Sequence, residues 1–195
     1  MEISCSNFIS YKFSLYITYT LQENCVKITY TVLNLDDKQI YFSIGAHPAF
    51  MCPIEKNDLL EDCYLEFNKN ETISKYGVNK DVYLSRKPEE FLNDENILPL
   101  SKGLFKDGLL MFDELKSNKI AIKSKNNNKS LGVGFDGFPY LCLWAPEKGA
   151  PFLCIEPWFG HPEYEDFAGK FKDREGTVSL KAGNKFNCTY KIFVD

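Results

Sequence analysis

Two stretches near the ends of the chain alternate apolar and polar residues with a period of two. Leu15, Ile17, Tyr19 and Leu21 form the first run, and Val26, Ile28, Tyr30 and Val32 form the next, interleaved with Lys27, Thr29 and Thr31. A period of two places successive side chains on opposite faces of a strand, so each run predicts a strand with one face buried. Gln22, Glu23 and Asn24 lie between them as a short polar connection, and an antiparallel hairpin follows. Near the other end Phe186, Cys188, Tyr190, Ile192 and Val194 alternate in the same way. Lys181 to Asn184 separate them from Thr177 to Leu180, which predicts a second hairpin.

Shorter apolar runs at 40–44, 64–67, 119–123, 139–144 and 152–155 are each bounded by polar, Gly or Pro residues. The polar KNNNKS at 125–130 predicts an exposed turn between the runs that flank it. Helical pattern is weak. Lys87 to Leu92 fits a single turn, and the apolar spacing of Lys102 to Leu115 is broken by Gly103 and Gly108, so no long helix is expected. Many short strands and few helices predict an all-β fold, an antiparallel β-sandwich or barrel.

Composition narrows what such a fold could bind. With 195 residues and 44% hydrophobic content, the chain is long enough to bury one sizeable core, and a single domain over 1–195 is expected. Its 23 basic and 27 acidic residues form no long block of one sign, which leaves no footprint for nucleic acid or for an anionic membrane. A small neutral or polar partner is expected. Seven cysteines include no Cys-x-x-Cys pair, so reduced, buried thiols are predicted rather than a disulfide framework or zinc ribbon. There is no basic region followed by a long apolar run at the start, and no membrane-length apolar window, so a cytoplasmic location is expected.

Few positions depart from the strand scaffold. Both histidines, His47 and His161, precede prolines, which holds their backbone extended. Glu156 follows the apolar run Phe152 to Ile155 and precedes Pro157 and Trp158, a setting that would partly desolvate its carboxylate. Burial raises a carboxyl pKa and strengthens it as a base, and histidine titrates near neutrality, so the two types together suit acid/base chemistry. Pattern alone favours the simpler reading of a hydrogen-bonded or solvent-facing strand-end glutamate and satisfied turn histidines. The histidines and cysteines lack zinc-ligand spacing. Ser43 lacks the Gly-x-Ser-x-Gly elbow, and Gly103 and Gly108 lack the Lys-Ser/Thr of a phosphate loop. Trp144, Trp158, Phe159 and Tyr164 could stack on a sugar, although aromatics this numerous are mostly core.

Taken in order, FSIGAHPAF, EDCYLEF, LFKDGLLMF, FPYLCLWAP and PFLCIEPWFG, followed by an alternating C-terminal strand, resemble the aldose 1-epimerase (galactose mutarotase) superfamily, particularly its LacX-like branch. The HPAF and CIEPW segments are the specific ones. The resemblance implies a β-sandwich whose concave face binds a free hexose without metal or organic cofactor. It implies that His47 protonates the ring oxygen as general acid and that Glu156 takes the anomeric proton as general base, on opposite sides of one sugar. Asp107 looks like the family's substrate-binding aspartate, although Gly108 after it departs from the LacX-like pattern. By the same resemblance Trp158 walls the pocket, and His161 falls at a variable rim position where an exposed loop histidine is the simpler reading.

Members of the superfamily normally carry an N-terminal region that supplies a sugar-binding arginine and a second histidine, and this chain begins after it. Arg86 and Arg174 lie in no matching motif. The function implied is interconversion of hexose anomers. Its alternatives are a non-catalytic carbohydrate-binding protein or inactive homologue, and a hexose-6-phosphate epimerase for which Lys102 and Lys106 are the basic candidates. A homodimer covering uncovered strand edges is also expected.

Overall fold

A computed structural model of the chain describes residues 2–4, 11–79, 81–146 and 151–195. Their strands, in chain order, are β1 (Glu2–Ser4), β2 (Phe13–Gln22), β3 (Cys25–Asn34), β4 (Ile40–Phe42), β5 (Ile44–Gly45), β6 (Ala49–Met51), β7 (Cys63–Lys75) and β8 (Glu89–Pro99). Then come β9 (Leu110–Asp113), β10 (Lys119–Ser124), β11 (Leu131–Gly134), β12 (Tyr140–Trp144), β13 (Phe152–Phe159), β14 (Val178–Leu180) and β15 (Lys185–Val194). Helix is confined among these residues to single 3-10 turns at Leu60–Asp62 and Phe171–Asp173. None is long and apolar enough to cross a membrane.

An eight-stranded antiparallel sheet runs in the order β1-β2-β3-β15-β11-β10-β7-β8. A second sheet, β5-β13-β12-β9 with β6 also on β13, packs against it, and β14 pairs with β4 in a small third sheet. This is the all-β sandwich that the alternation predicts. Apolar residues from both large sheets meet in one core, among them Ile28, Leu65, Phe67, Ile120, Ile122 and Val133 from the first. The second contributes Leu110, Phe112, Leu141, Leu143, Leu153 and Ile155. Each fully buried side chain of this size contributes roughly 1.5–3 kcal/mol relative to exposure.

The first hairpin forms as expected, with β2 and β3 paired from Phe13 opposite Asn34 to Gln22 opposite Cys25. Only Glu23 and Asn24 make the turn, and Glu23 adopts a φ of 52°, as the tightest hairpin loops require. The second does not form. Val178–Leu180 pairs with Ile40–Phe42, whereas β15 pairs with β3 and β11. Leu180 buries itself against Val32 and Ile40, and its carbonyl accepts from the Asn34 amide, which holds β14 away from β15.

The helical turn at Lys87 to Leu92 is likewise overturned, because Glu89–Pro99 is a strand paired with β7. Its polar residues lie on an outer strand that needs only one buried side, and Leu92 and Leu98 supply it. The six cysteines of the described residues are free and buried, and Cys5 lies outside them. Burial pushes the thiols of Cys52 and Cys188 up to about 12.

Candidate active site

The second sheet is buried on both faces, which is why its strands read as continuous apolar runs. While Leu141, Leu143, Leu153 and Ile155 face the sandwich core, the residues between them face outward. Cross-strand pairs on that outer face are Tyr140 with Trp158, Cys142 with Glu156 and Trp144 with Cys154. A second apolar cluster of Leu84, Met111, Cys142 and Tyr164 covers part of it, flanked by Tyr140 and Trp158. Glu156 therefore projects from a rigid strand into a largely apolar face.

His47 reaches the same place from the neighbouring segment. Gly45 pairs with Trp158 and Ala49 with Cys154, so the register that these pairs share sets His47 opposite Glu156. The Ala46 N–H donates to Pro157 O at 3.0 Å and the Ile155 N–H to Pro48 O at 3.3 Å, which brackets His47 and Glu156 as a pair without direct backbone bonds. Pairs of that kind hold their side chains closer together. Both residues precede a proline, and Pro48 and Pro157 lack the N–H that would complete the flanking bonds. The Trp158 indole N–H fills one gap by donating to Ala46 O at 3.1 Å. It can do so because Gly45 has no Cβ, an atom that would lie 2.4 Å from the indole Cδ1.

The result is a carboxylate and an imidazole 3.5 Å apart, from Glu156 Oε2 to His47 Nε2. The histidine side chain is 63% exposed and the glutamate 3%. Burial raises the Glu156 carboxyl from 4.5 to about 7, partly offset by the Trp158 indole nearby. Oε2 is buried without a hydrogen-bond partner. A group in this state exchanges a proton readily near neutrality. At 3.5 Å the two groups are in contact, brought together from adjacent segments of one sheet.

Ligand atoms of His47, Cys154 and Glu156 lie within 4.8 Å of one another, a set with the side chains to hold a metal ion. The Cys154 thiol, however, is pushed up to about 11, chiefly by burial and further by Glu156. A cation bound there would itself favour the thiolate over the thiol.

A cleft of about 340 Å³ opens beside His47, walled by Trp158, and it also contains His161. His161 is only 3% exposed, so it is not the exposed loop histidine that its position suggested. Its ring stands edge-on to Tyr140 and Tyr164, at centroid distances of 4.9 and 5.4 Å. Thus His47, Glu156, Trp158 and His161 come together. Asp107 does not join them. It is exposed in a neighbouring cleft of about 560 Å³, which shares its Trp144 wall with the His47 ring at 6.2 Å. Arg174, for which no motif gave a signal, lines the His47 cleft.

Residues 9–190 match the family whose description is aldose 1-epimerase. The chain belongs to the aldose 1-epimerase family. Among curated family relatives, the chromosomal and plasmid forms of protein LacX from Lactococcus lactis subsp. lactis are each 35% identical over 153 residues. That match covers 77% of this chain and 51% of each relative, so the chain spans about half the length of the curated relatives it matches. Of solved structures, the galactose mutarotase related enzyme of Lactobacillus acidophilus is 26% identical with a TM-score of 0.88, over 95% of this chain and 62% of that one. A galactose mutarotase-like protein of Lactobacillus casei is 27% identical with a TM-score of 0.84, over 95% and 64% respectively. The aldose 1-epimerase fold thus extends over nearly all of this chain, with both His47 and Glu156 inside the matched segment.

Proposed function

We propose that the chain interconverts the α and β anomers of an aldose by acid/base ring opening. The observation that carries this reading is the His47–Glu156 pair, in contact at 3.5 Å with the carboxyl raised to about 7. Family membership and the LacX relatives support it.

The two oxygens that must gain and lose protons, the ring oxygen and the anomeric hydroxyl, sit on one carbon, so a pair in contact can address both from one edge. Protonated His47 gives its proton to the ring oxygen while ionised Glu156 takes the hydroxyl proton. The bond from the anomeric carbon to the ring oxygen breaks, and the carbonyl forms. Rotation about the adjacent C–C bond presents the other face, and closure returns both protons with the roles reversed. His47, being exposed, is the group that turns toward the sugar and uncovers Oε2 beneath it. Trp158 lies beside the pair as an apolar wall, and Asp107 reaches the sugar only from the cleft beyond Trp144.

Polarimetry of freshly dissolved α-D-glucose and α-D-galactose tests the reading. The unaltered protein should accelerate mutarotation, and Glu156→Gln and His47→Asn should each lower the rate by about a hundredfold or more, the scale of a lost general acid or base. Because the base must be ionised while the acid keeps its proton, the rate should rise with pH as the Glu156 carboxyl ionises towards about 7 and then pass through a maximum rather than climb on. Folded protein that leaves mutarotation at its uncatalysed rate would overturn this reading in favour of a carbohydrate-binding one.

A further inference from the structure

Glu156 Oε2 is buried and lacks a hydrogen-bond partner, although buried polar atoms in folded proteins are nearly always paired. Two further metal-ligating side chains flank it. His47 Nε2 lies 3.5 Å away, and Cys154 completes a set whose ligand atoms are all within 4.8 Å of one another. Sequence spacing gave no sign of this set. Cys154 and Glu156 lie two apart on β13 and so share its outer face, whereas His47 arrives from across the ladder.

Imidazole nitrogen, thiolate sulfur and carboxylate oxygen are the donors that bind zinc, at bond lengths of about 2.0–2.3 Å. Around a tetrahedral ion with those bonds, neighbouring ligand atoms stand about 3.3–3.6 Å apart. The His47–Glu156 separation of 3.5 Å is therefore already that of two ligands on one ion, and it is longer than a good hydrogen bond between the same atoms. The His47 side chain, 63% exposed, has room to swing and close what remains to Cys154. Magnesium and calcium prefer shells of oxygen, so the sulfur selects against them and for a softer ion. Three protein ligands leave one position of the tetrahedron for water, which the cleft beside His47 admits.

We propose that His47, Cys154 and Glu156 form a zinc-binding site, and that the bound ion switches off the acid/base pair. On binding, each ligand atom gives the ion a lone pair and the Cys154 thiol proton passes to solvent, with no change in oxidation state. Neither His47 Nε2 nor Glu156 Oε2 can then exchange a proton with a sugar. This inhibition rests on the reading that the pair acts at the anomeric carbon, whereas the binding does not.

Calorimetric titration of the unaltered protein with zinc chloride, in a buffer free of thiols and chelators, tests the binding. One ion should bind per chain with a Kd of about 10 μM or tighter, and magnesium chloride should not bind. Cobalt(II) in place of zinc should show thiolate-to-metal charge-transfer absorption and the intense visible bands of a four-coordinate ion, a readout that needs no variant. Cys154→Ser and Glu156→Gln, with folding checked by circular dichroism, should each weaken zinc binding by at least about a hundredfold, since loss of a mere outer-shell partner costs about 10–100-fold. Cys25→Ser, which alters a buried thiol at the start of β3, should leave the affinity in place. In polarimetry, saturating zinc should slow the mutarotation of α-D-glucose by about a hundredfold or more, and a chelator should restore the rate.

Absence of zinc binding up to about 1 mM would overturn the proposal, as would a cobalt complex without thiolate absorption or an affinity that survives Cys154→Ser. The two readings fail separately. Zinc binding that depends on Cys154, in a protein that never accelerates mutarotation, keeps the metal site and removes the catalytic function. Mutarotation that runs undiminished in saturating zinc does the reverse.

Discussion

Replacing Glu156 with glutamine should make the protein more stable in mildly alkaline solution, by an amount set by the burial of the carboxyl. Its ordinary value of 4.5 applies to the unfolded chain, and in the folded protein burial raises it to about 7. Between those values the native state holds a proton that the unfolded chain has released, so stability falls as pH rises. The fall starts near 4.5 and is complete above about 7, and the gap corresponds to about 3 kcal/mol. Glutamine has nearly the same shape and never ionises, so the variant escapes that loss. Urea denaturation of both proteins at pH 5 and pH 8 measures the effect. Groups common to both largely cancel in the difference, which should move by about 2–3 kcal/mol in favour of the variant between the two pH values. Parallel pH dependences would refute the argument, because they would mean that the native carboxylate is solvated or paired well enough to ionise without penalty.

Glu71 offers the opposite case. It is 1% exposed, but its Oε1 accepts from the Ser117 N–H at 2.6 Å and its Oε2 from the Lys116 N–H at 3.2 Å. Glu71→Ala should therefore cost about 2–4 kcal/mol in urea denaturation by stranding two amide donors, and a loss below about 1 kcal/mol would show that water replaces the carboxylate. Gly45→Ala places a methyl where the Trp158 indole lies and displaces the N–H that serves Ala46 O. It should lower kcat/KM for mutarotation by about tenfold or more through misplacement of the His47 segment, and unchanged kinetics with a folded protein would show that the indole is not part of the support.

How much of this could be read in the sequence differs between the sheets. Alternation located β2, β3 and β15 because each buries one face and exposes the other. Partner choice was not legible for β14, since three residues fit either β15 or β4, and the Asn34 amide on Leu180 O decides between them. The Glu89–Pro99 strand was missed for a related reason. An outer strand with residues such as Glu89, Glu90, Asn93, Asp94 and Glu95 shows too little alternation, and its pairing with β7 shifts register repeatedly.

For the site, the sequence showed two residues before prolines, but not that His47 and Glu156 face each other across one ladder. That meeting turns the His-Pro and Glu-Pro steps into a device, because each proline still accepts a backbone bond while donating none. Pairing therefore persists around His47 and Glu156. Arg174 was invisible because it belongs to the cleft only through a loop seated on His161, a contact between residues whose sequence separation carries no periodic signal. The deeper limit is shown by Glu71 and Glu156. Both are glutamates in strands and both are buried, so burial alone would mark either as reactive. What separates them is whether backbone donors happen to point at the carboxylate. Two amides quench Glu71, whereas the prolines and neighbouring thiols around Glu156 leave its Oε2 facing one exposed imidazole. Reactivity here is a property of missing partners, and a missing partner is visible only once the chain is folded.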